Sequence, residues 1–183
     1  MTFDPTWIAS ELKAIDGLGD KPQEKGKRLE TLIATIFSDV DGLHFQGANL
    51  KNFYQTEEID LLFWNDQERQ SVHFLDCPLI VECKSSTVPL SGRDLRYFTT
   101  TLGDKGRRNG VLVALSGVAG NEKAATAGFF HMTVAMTTGV SLLLVTRDDL
   151  LSLTSGQDLV ALLRRRLLAL VTSQVLEAEA GSP

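Results

Sequence analysis

Three short apolar runs constrain this chain most: Leu79-Ile80-Val81 ahead of Glu82-Cys83-Lys84, Gly110-Val111-Leu112-Val113-Ala114-Leu115, and Val140-Ser141-Leu142-Leu143-Leu144-Val145. Each is long enough for a strand and too short for a buried helix. A strand that is apolar without alternation has both faces covered, as in parallel sheets wrapped by helices. Helical patterns lie between and around these runs. The expected architecture is therefore α/β, a three-layer core with a central mixed β-sheet flanked by helices. No apolar run approaches the roughly 18–20 residues that a membrane span needs.

Residues 5–17 predict a short helix, with Pro5 in the first turn and Gly17 as the stop. Residues 22–38 predict a stronger one, because Leu29, Leu32, Ile33, Ile36 and Phe37 fall on one face. Residues 43–54 read as a ragged strand weakened by Gly47 and Asn49, and 57–64 as a clearer one. A polar turn follows at 65–68, and 71–75 continue the hairpin. Residues 79–84 form the third strand. Ser91 with Asp94 caps a helix that runs to about Leu102. After the strand at 110–115 come a helix from Asn121 to Thr138 and a strand at 140–145. Thr146 with Asp149, and Ser155 with Asp158, cap two leucine-rich helices. The hairpin makes part of the sheet antiparallel and the later crossovers make the rest parallel. One domain is expected over 1–183, with its core at about 22–153, a C-terminal helix at 156–172 and a disordered tail at 176–183. In the last helix Leu159, Leu162, Leu163, Leu167 and Leu170 should pack inward, leaving Arg164, Arg165 and Arg166 on the solvent face.

The net charge of −5 argues against a passive nucleic-acid coat. Its distribution is uneven. Lys84 to Arg108 holds six basic residues and two acidic ones, +4, so the remainder carries −9. Cys77 and Cys83 match no zinc spacing, and with no recognisable secretory leader they are expected to be reduced thiols in a cytoplasmic protein. His44, His73 and His131 share no ligand spacing and read as structural.

Chemistry concentrates at the end of the third strand. Glu82 and Lys84, two positions apart, point to the same side. Asp60 sits between Ile59 and Leu61 in another apolar strand, where a carboxylate is costly unless paired or bound to a metal. If the strands are hairpin neighbours, Asp60 and Glu82 converge on one cation. Two carboxylates with water suit Mg²⁺ or Mn²⁺, and an adjacent lysine suits the charge that develops in phosphodiester hydrolysis.

Asp60 followed by Glu82-Cys83-Lys84 resembles the PD-(D/E)xK motif of the restriction-endonuclease-like nucleases. Within that superfamily the chain is most similar to Mrr-like restriction endonucleases, which share a strand ending in Glu-Cys-Lys, a short helix and then a strand like GVLVALSG. The resemblance covers about residues 24–146. Proline does not precede Asp60, where the family's motif has one. The resemblance implies a restriction-endonuclease-like core and an Mg²⁺- or Mn²⁺-dependent DNA endonuclease of restriction or anti-phage type. It implies Asp60 and Glu82 as metal ligands, Lys84 as their catalytic partner, and Glu30 as the glutamate of the first core helix.

Arg93, Arg96, Arg107 and Arg108 follow the motif and are expected to grip phosphates, the main protein contact on DNA. Gln46 is a candidate to line the cleft. Two other functions fit the same residues: a nucleic-acid-binding or assembly subunit without turnover, and a junction-resolving nuclease. Specificity would come from a homodimer or a partner subunit. Leu150, Leu151 and Leu153 would supply a dimer face or complete the monomer core.

Overall fold

The computed structural model describes residues 4–51, 58–119 and 139–180. The helix expected over 121–138 and the strand end expected at 52–54 lie outside the described residues. The elements are α1 (Pro5–Asp16), α2 (Pro22–Ser38), β1 (Leu43–Lys51), β2 (Glu58–Asn65), β3 (Leu79–Lys84), α3 (Gly92–Asp104), β4 (Asn109–Ala114), β5 (Ser141–Thr146), α4 (Arg147–Leu151) and α5 (Gly156–Ala180).

The strands form one five-stranded sheet in the order β1-β2-β3-β4-β5. β1, β2 and β3 pair antiparallel, whereas β3, β4 and β5 pair parallel. The sheet is thus mixed, as the hairpin-then-crossover pattern requires. Leu61 and Phe63 share a face with Val81, Val111, Val113, Leu143 and Val145. α2 covers that face, with Phe37 against Phe63 at 5.5 Å between ring centroids. α1 packs on α2 through Ile8, Leu12 and Ile15, all fully buried. The other face carries Glu82 and Leu112, and α3 covers it. A Cβ on Gly110 would come within 2.7 Å of Leu102 and 3.1 Å of Phe98, so glycine lets α3 lie close on β4.

α5 begins where α2 ends. A Cβ on Gly156 would meet the Asp39 carbonyl oxygen at 2.6 Å, so a larger residue there must displace backbone. Leu159, Leu162, Leu163 and Leu170 are buried and Leu167 is partly so. The arginines divide. Arg164 stands over the Phe74 ring at 5.6 Å, Arg165 is exposed, and Arg166 donates to Asp149 at 2.8–2.9 Å, tying α5 to α4. Of the three leucines weighed for a dimer face, Leu150 and Leu153 are buried in the monomer and only Leu151 is exposed.

Two local readings are corrected. Residues 71–75 form turns, because the buried Asn65 amide gathers the carbonyls of Val72, Leu75 and Asp76. α5 runs to Ala180, past the expected end at 172 and into the segment expected to be disordered. The expected Ser155–Asp158 cap forms, with the Ser155 hydroxyl accepting the Asp158 N–H at 3.3 Å, and the Asp158 carboxylate also accepts from the Thr154 amide and hydroxyl. Among the described residues no helix is long and apolar enough to cross a membrane.

The cap of α3 holds an ionised carboxylate. Asp94 accepts hydrogen bonds from the Ser91 hydroxyl at 2.6 Å and the Ser91 amide at 2.8 Å, and these hold its carboxyl below the usual aspartate value. A depressed carboxyl stabilises the fold above its unfolded pKa and loses that contribution as pH falls through the lower folded value. Asp94→Ala is expected to destabilise the protein by about 1 kcal/mol at neutral pH. In urea melts the difference should shrink as the pH falls through the acid range. A constant difference would remove the charge from the explanation.

Candidate active site

The pairing of β2 with β3 puts Leu61 opposite Val81, and one further step puts Asp60 opposite Glu82. The ladder does not continue there. The Asp60 carboxylate accepts the Cys83 amide at 2.8 Å, using a side chain where a backbone carbonyl would otherwise serve. The end of the antiparallel ladder therefore opens around an acidic pair. Glu82 is buried, and its Oε1 lies 2.6 Å from Lys84 Nζ. The lysine keeps 39% of its side-chain surface, against 9% for Glu82. The carboxylate is thus an interior group and the ammonium faces the opening.

Glu30 comes from α2. It accepts a 2.6 Å hydrogen bond from the Asn49 side-chain amide, which projects from β1. Asn49 has φ +54°, an uncommon backbone conformation for a residue with a side chain. Burial pushes the Glu30 carboxyl above the usual value, and the Asp60 charge adds to this against the Asn49 bond. Burial likewise raises Asp60, opposed by the Cys83 amide and the Lys84 charge. Glu82 is raised by burial and then by Asp60, and more weakly by Glu30, while Lys84 opposes. Burial pulls the Lys84 ammonium down, but the Glu82 charge, its hydrogen bond and Asp60 outweigh this and hold it above the ordinary lysine value.

The three carboxylates are thus coupled by charge, Glu30 and Glu82 each raised by Asp60, while the Lys84 ammonium opposes the rise on Asp60 and Glu82. Two of them, Asp60 and Glu82, are oxygen donors side by side at an opening in the sheet. Such a set suits a hard divalent cation that keeps several waters. Among the described residues no group of three or more His, Cys, Asp or Glu side chains is placed to hold a metal ion. A metal here would have to rest on the acidic pair and complete its shell with waters or phosphate, with Glu30 near enough to feel the pair's charge.

The other candidates separate. Arg93 lines a small cavity of about 130 Å³ together with Glu82, Lys84, Leu90, Tyr97 and Phe98. Arg96 lies one helical turn further on, exposed on α3. Arg107 and Arg108 stand at the start of β4, whereas Glu82 and Lys84 pair with Leu112 and Ala114 at its end. At about 3.3 Å per residue this separates them from the site by roughly 15–20 Å. Arg107 is spent on the carbonyls of Cys77 and Lys105, and the Arg108 amide donates to Asp76. Gln46 lies on β1, the strand beside the one that carries Asp60. It falls at the irregularity between Phe45 and Gly47 in β1, is exposed, and donates back to the His44 carbonyl. His44 pairs with Asp66 at 2.7 Å and His73 stacks edge-on to Phe74. His131 lies outside the described residues. Cys77 and Cys83 are both free thiols, and burial raises the Cys83 thiol well above its ordinary value.

Sequence reasoning did not single out Asn49 or Tyr97 as site residues. The signal for Asn49 was present in the Gly-Ala-Asn stretch that weakens β1 as a strand. Tyr97 was legible only as the residue four after Arg93 on one helical face. A second, larger cleft of about 800 Å³ lies between α1, α2 and β1. It touches this site only through Glu30 and Asn49.

No family model matches the sequence, and no curated protein matches it.

Proposed function

We propose that this chain is a metal-dependent endonuclease of the PD-(D/E)xK type, hydrolysing phosphodiester bonds in DNA, with a role in restriction or anti-phage defence. The observation that carries the reading is the convergence of Asp60, Glu82 and Lys84 where the β2–β3 ladder opens. The element order α2–β1–β2–β3–α3–β4 also resembles the core of that superfamily.

Asp60 and Glu82 would hold Mg²⁺ or Mn²⁺, which when bound supplies an activated water and polarises the phosphoryl oxygen. The chain's own residues do the rest. The Cys83 amide fixes the Asp60 carboxylate, so the acid enters the site in one orientation. The burial of Glu82 excludes water from one side of the pair and strengthens every charge interaction there. Lys84, charged and part-exposed, is positioned to meet the negative charge that grows on the phosphate oxygens. Glu30, held by Asn49, adds negative charge that favours cation entry. Arg93 is the nearest phosphate contact beyond the cluster, with Arg96 continuing that line along α3.

Titration calorimetry with Mn²⁺ tests the metal half directly. The wild type should bind in the micromolar-to-millimolar range and Glu82→Ala should not. Complete absence of binding by the wild type would favour a nucleic-acid-binding or assembly subunit without turnover. Arg93→Ala should weaken DNA binding uniformly across sequences and lower the slope of log affinity against log salt by about 1, as expected for one lost phosphate contact. An unchanged salt slope would remove Arg93 from the interface.

A further inference from the structure

The cleft between α1, α2 and β1 is not used by the proposed metal chemistry. Its walls are apolar, from Trp7, Ala34, Phe45 and Leu61. Phe45 packs its edge on Phe63 at 5.6 Å between centroids yet remains 45% exposed, so one side of the ring stays open. The cleft's volume of about 800 Å³ is ample for a nucleobase with its sugar. Its polar end is Glu30 with Asn49, the residue held at positive φ.

Charge decides which part of a nucleic acid could enter. Among the described residues the lining carries Asp4, Glu30 and Asp39 against Lys27. That balance repels a phosphodiester and accepts an uncharged ring. The opposite depression sets Lys84 and Arg93 against Glu82 and Asp94, so its charges balance and it repels a phosphate strand less than the cleft does. The carboxylate cluster lies between the two, with Glu30 belonging to both the cluster and the cleft.

We propose, resting on the nuclease reading, that this cleft takes up an unpaired nucleobase adjacent to the phosphate at the Asp60–Glu82 pair. The base stacks on Phe45 and meets Asn49 and Glu30 at its polar edge. The preferred substrate is then DNA with an unpaired nucleotide at the cleavage point, whether single-stranded, bulged or flapped, and a fully paired duplex is bound less well.

The test uses fluorescently labelled oligonucleotides with Ca²⁺ in place of Mg²⁺, comparing a single strand with its blunt duplex. The variants are Phe45→Ala and Phe45→Leu, the second keeping apolar bulk on an exposed position so that the fold is preserved. Phe45→Leu should lower single-strand affinity about tenfold and leave duplex affinity within about twofold, because stacking is lost and phosphate contacts are not. Unchanged single-strand binding, or equal loss on both substrates, overturns the base pocket. So does a wild type that binds no single strand. Plasmid cleavage by the same proteins in Mg²⁺ separates the two readings. Cleavage that persists while the pocket test fails leaves the nuclease standing without the pocket. No cleavage together with no binding removes both.

Discussion

Replacing Lys84 with alanine should reduce DNA cleavage by roughly 10²–10³-fold, the usual effect of losing one preorganised group that meets developing charge. Lys84 Nζ lies within hydrogen-bond distance of Glu82, at 2.6 Å, and its charge also acts on Asp60. It stands at the end of β3 with 39% of its side chain exposed, so truncation leaves no core cavity. Some stability should still be lost, because Glu82 is buried and would lose this counter-charge. Lys84→Arg separates charge from shape. It keeps the positive charge but spreads it over a planar fork, and partial activity is expected. Circular dichroism and a urea melt establish that each variant is folded. Cleavage by Lys84→Ala at the wild-type rate would show that the lysine is only the partner of a buried glutamate.

Asp60→Asn should produce a protein that is more stable without metal and inert with it. Burial raises the Asp60 carboxyl above its unfolded value. The folded state then binds the proton more tightly than the unfolded state does. The ionised carboxylate therefore costs stability at neutral pH, and that cost disappears as pH falls below the unfolded pKa of about 4. Asparagine removes the charge and keeps an oxygen to accept the Cys83 amide. In EDTA at pH 7 the variant should gain on the order of 1 kcal/mol, or roughly 2–4 °C in Tm for a domain of this size. The gap should close in acid. Saturating Mn²⁺ should raise the wild-type Tm and leave the variant's unchanged, because only the wild type gains a ligand that binds the native state. A variant less stable than the wild type in EDTA would mean that the carboxylate is structural, and the metal role would lose its main physical support.

Much of the fold was legible because the strongest local signals are also the ones that packing uses. The five apolar residues of the predicted 22–38 helix are buried along α2, which spans Pro22–Ser38. The strand at 79–84 came out as read because its apolar start and charged end mark where a buried strand meets solvent. Residues 71–75 misled because their apolar spacing serves a turn cluster gathered by Asn65, a tertiary hydrogen-bond pattern that no local period reveals. The Glu82–Lys84 pair followed from the two-residue repeat of a strand. Asp60 joined it because an aspartate between Ile59 and Leu61 needs a reason to be there.

The remaining site residues depended on which end of a strand each occupies. Arg107 and Arg108 are close to Lys84 along the chain, yet the parallel crossover carries them to the far end of β4. Arg93 is nearer because α3 begins beside the end of β3. Gln46 falls at an irregularity in β1 that shifts the register between Phe45 and Gly47, where the two-residue period no longer tells which face a side chain takes. Asn49 and Tyr97 gain their positions only when β1 meets α2 and when α3 lies on β4, contacts between elements distant in sequence.

The most direct test of the central claim is cleavage of supercoiled plasmid by the purified chain in Mg²⁺, in Mn²⁺ and in EDTA, beside the Glu82→Ala/Lys84→Ala double variant. Nicking or linearisation that requires the metal and is absent from the variant is the predicted result. Equal cleavage by the variant, or cleavage that persists in EDTA, would contradict the assignment of this site.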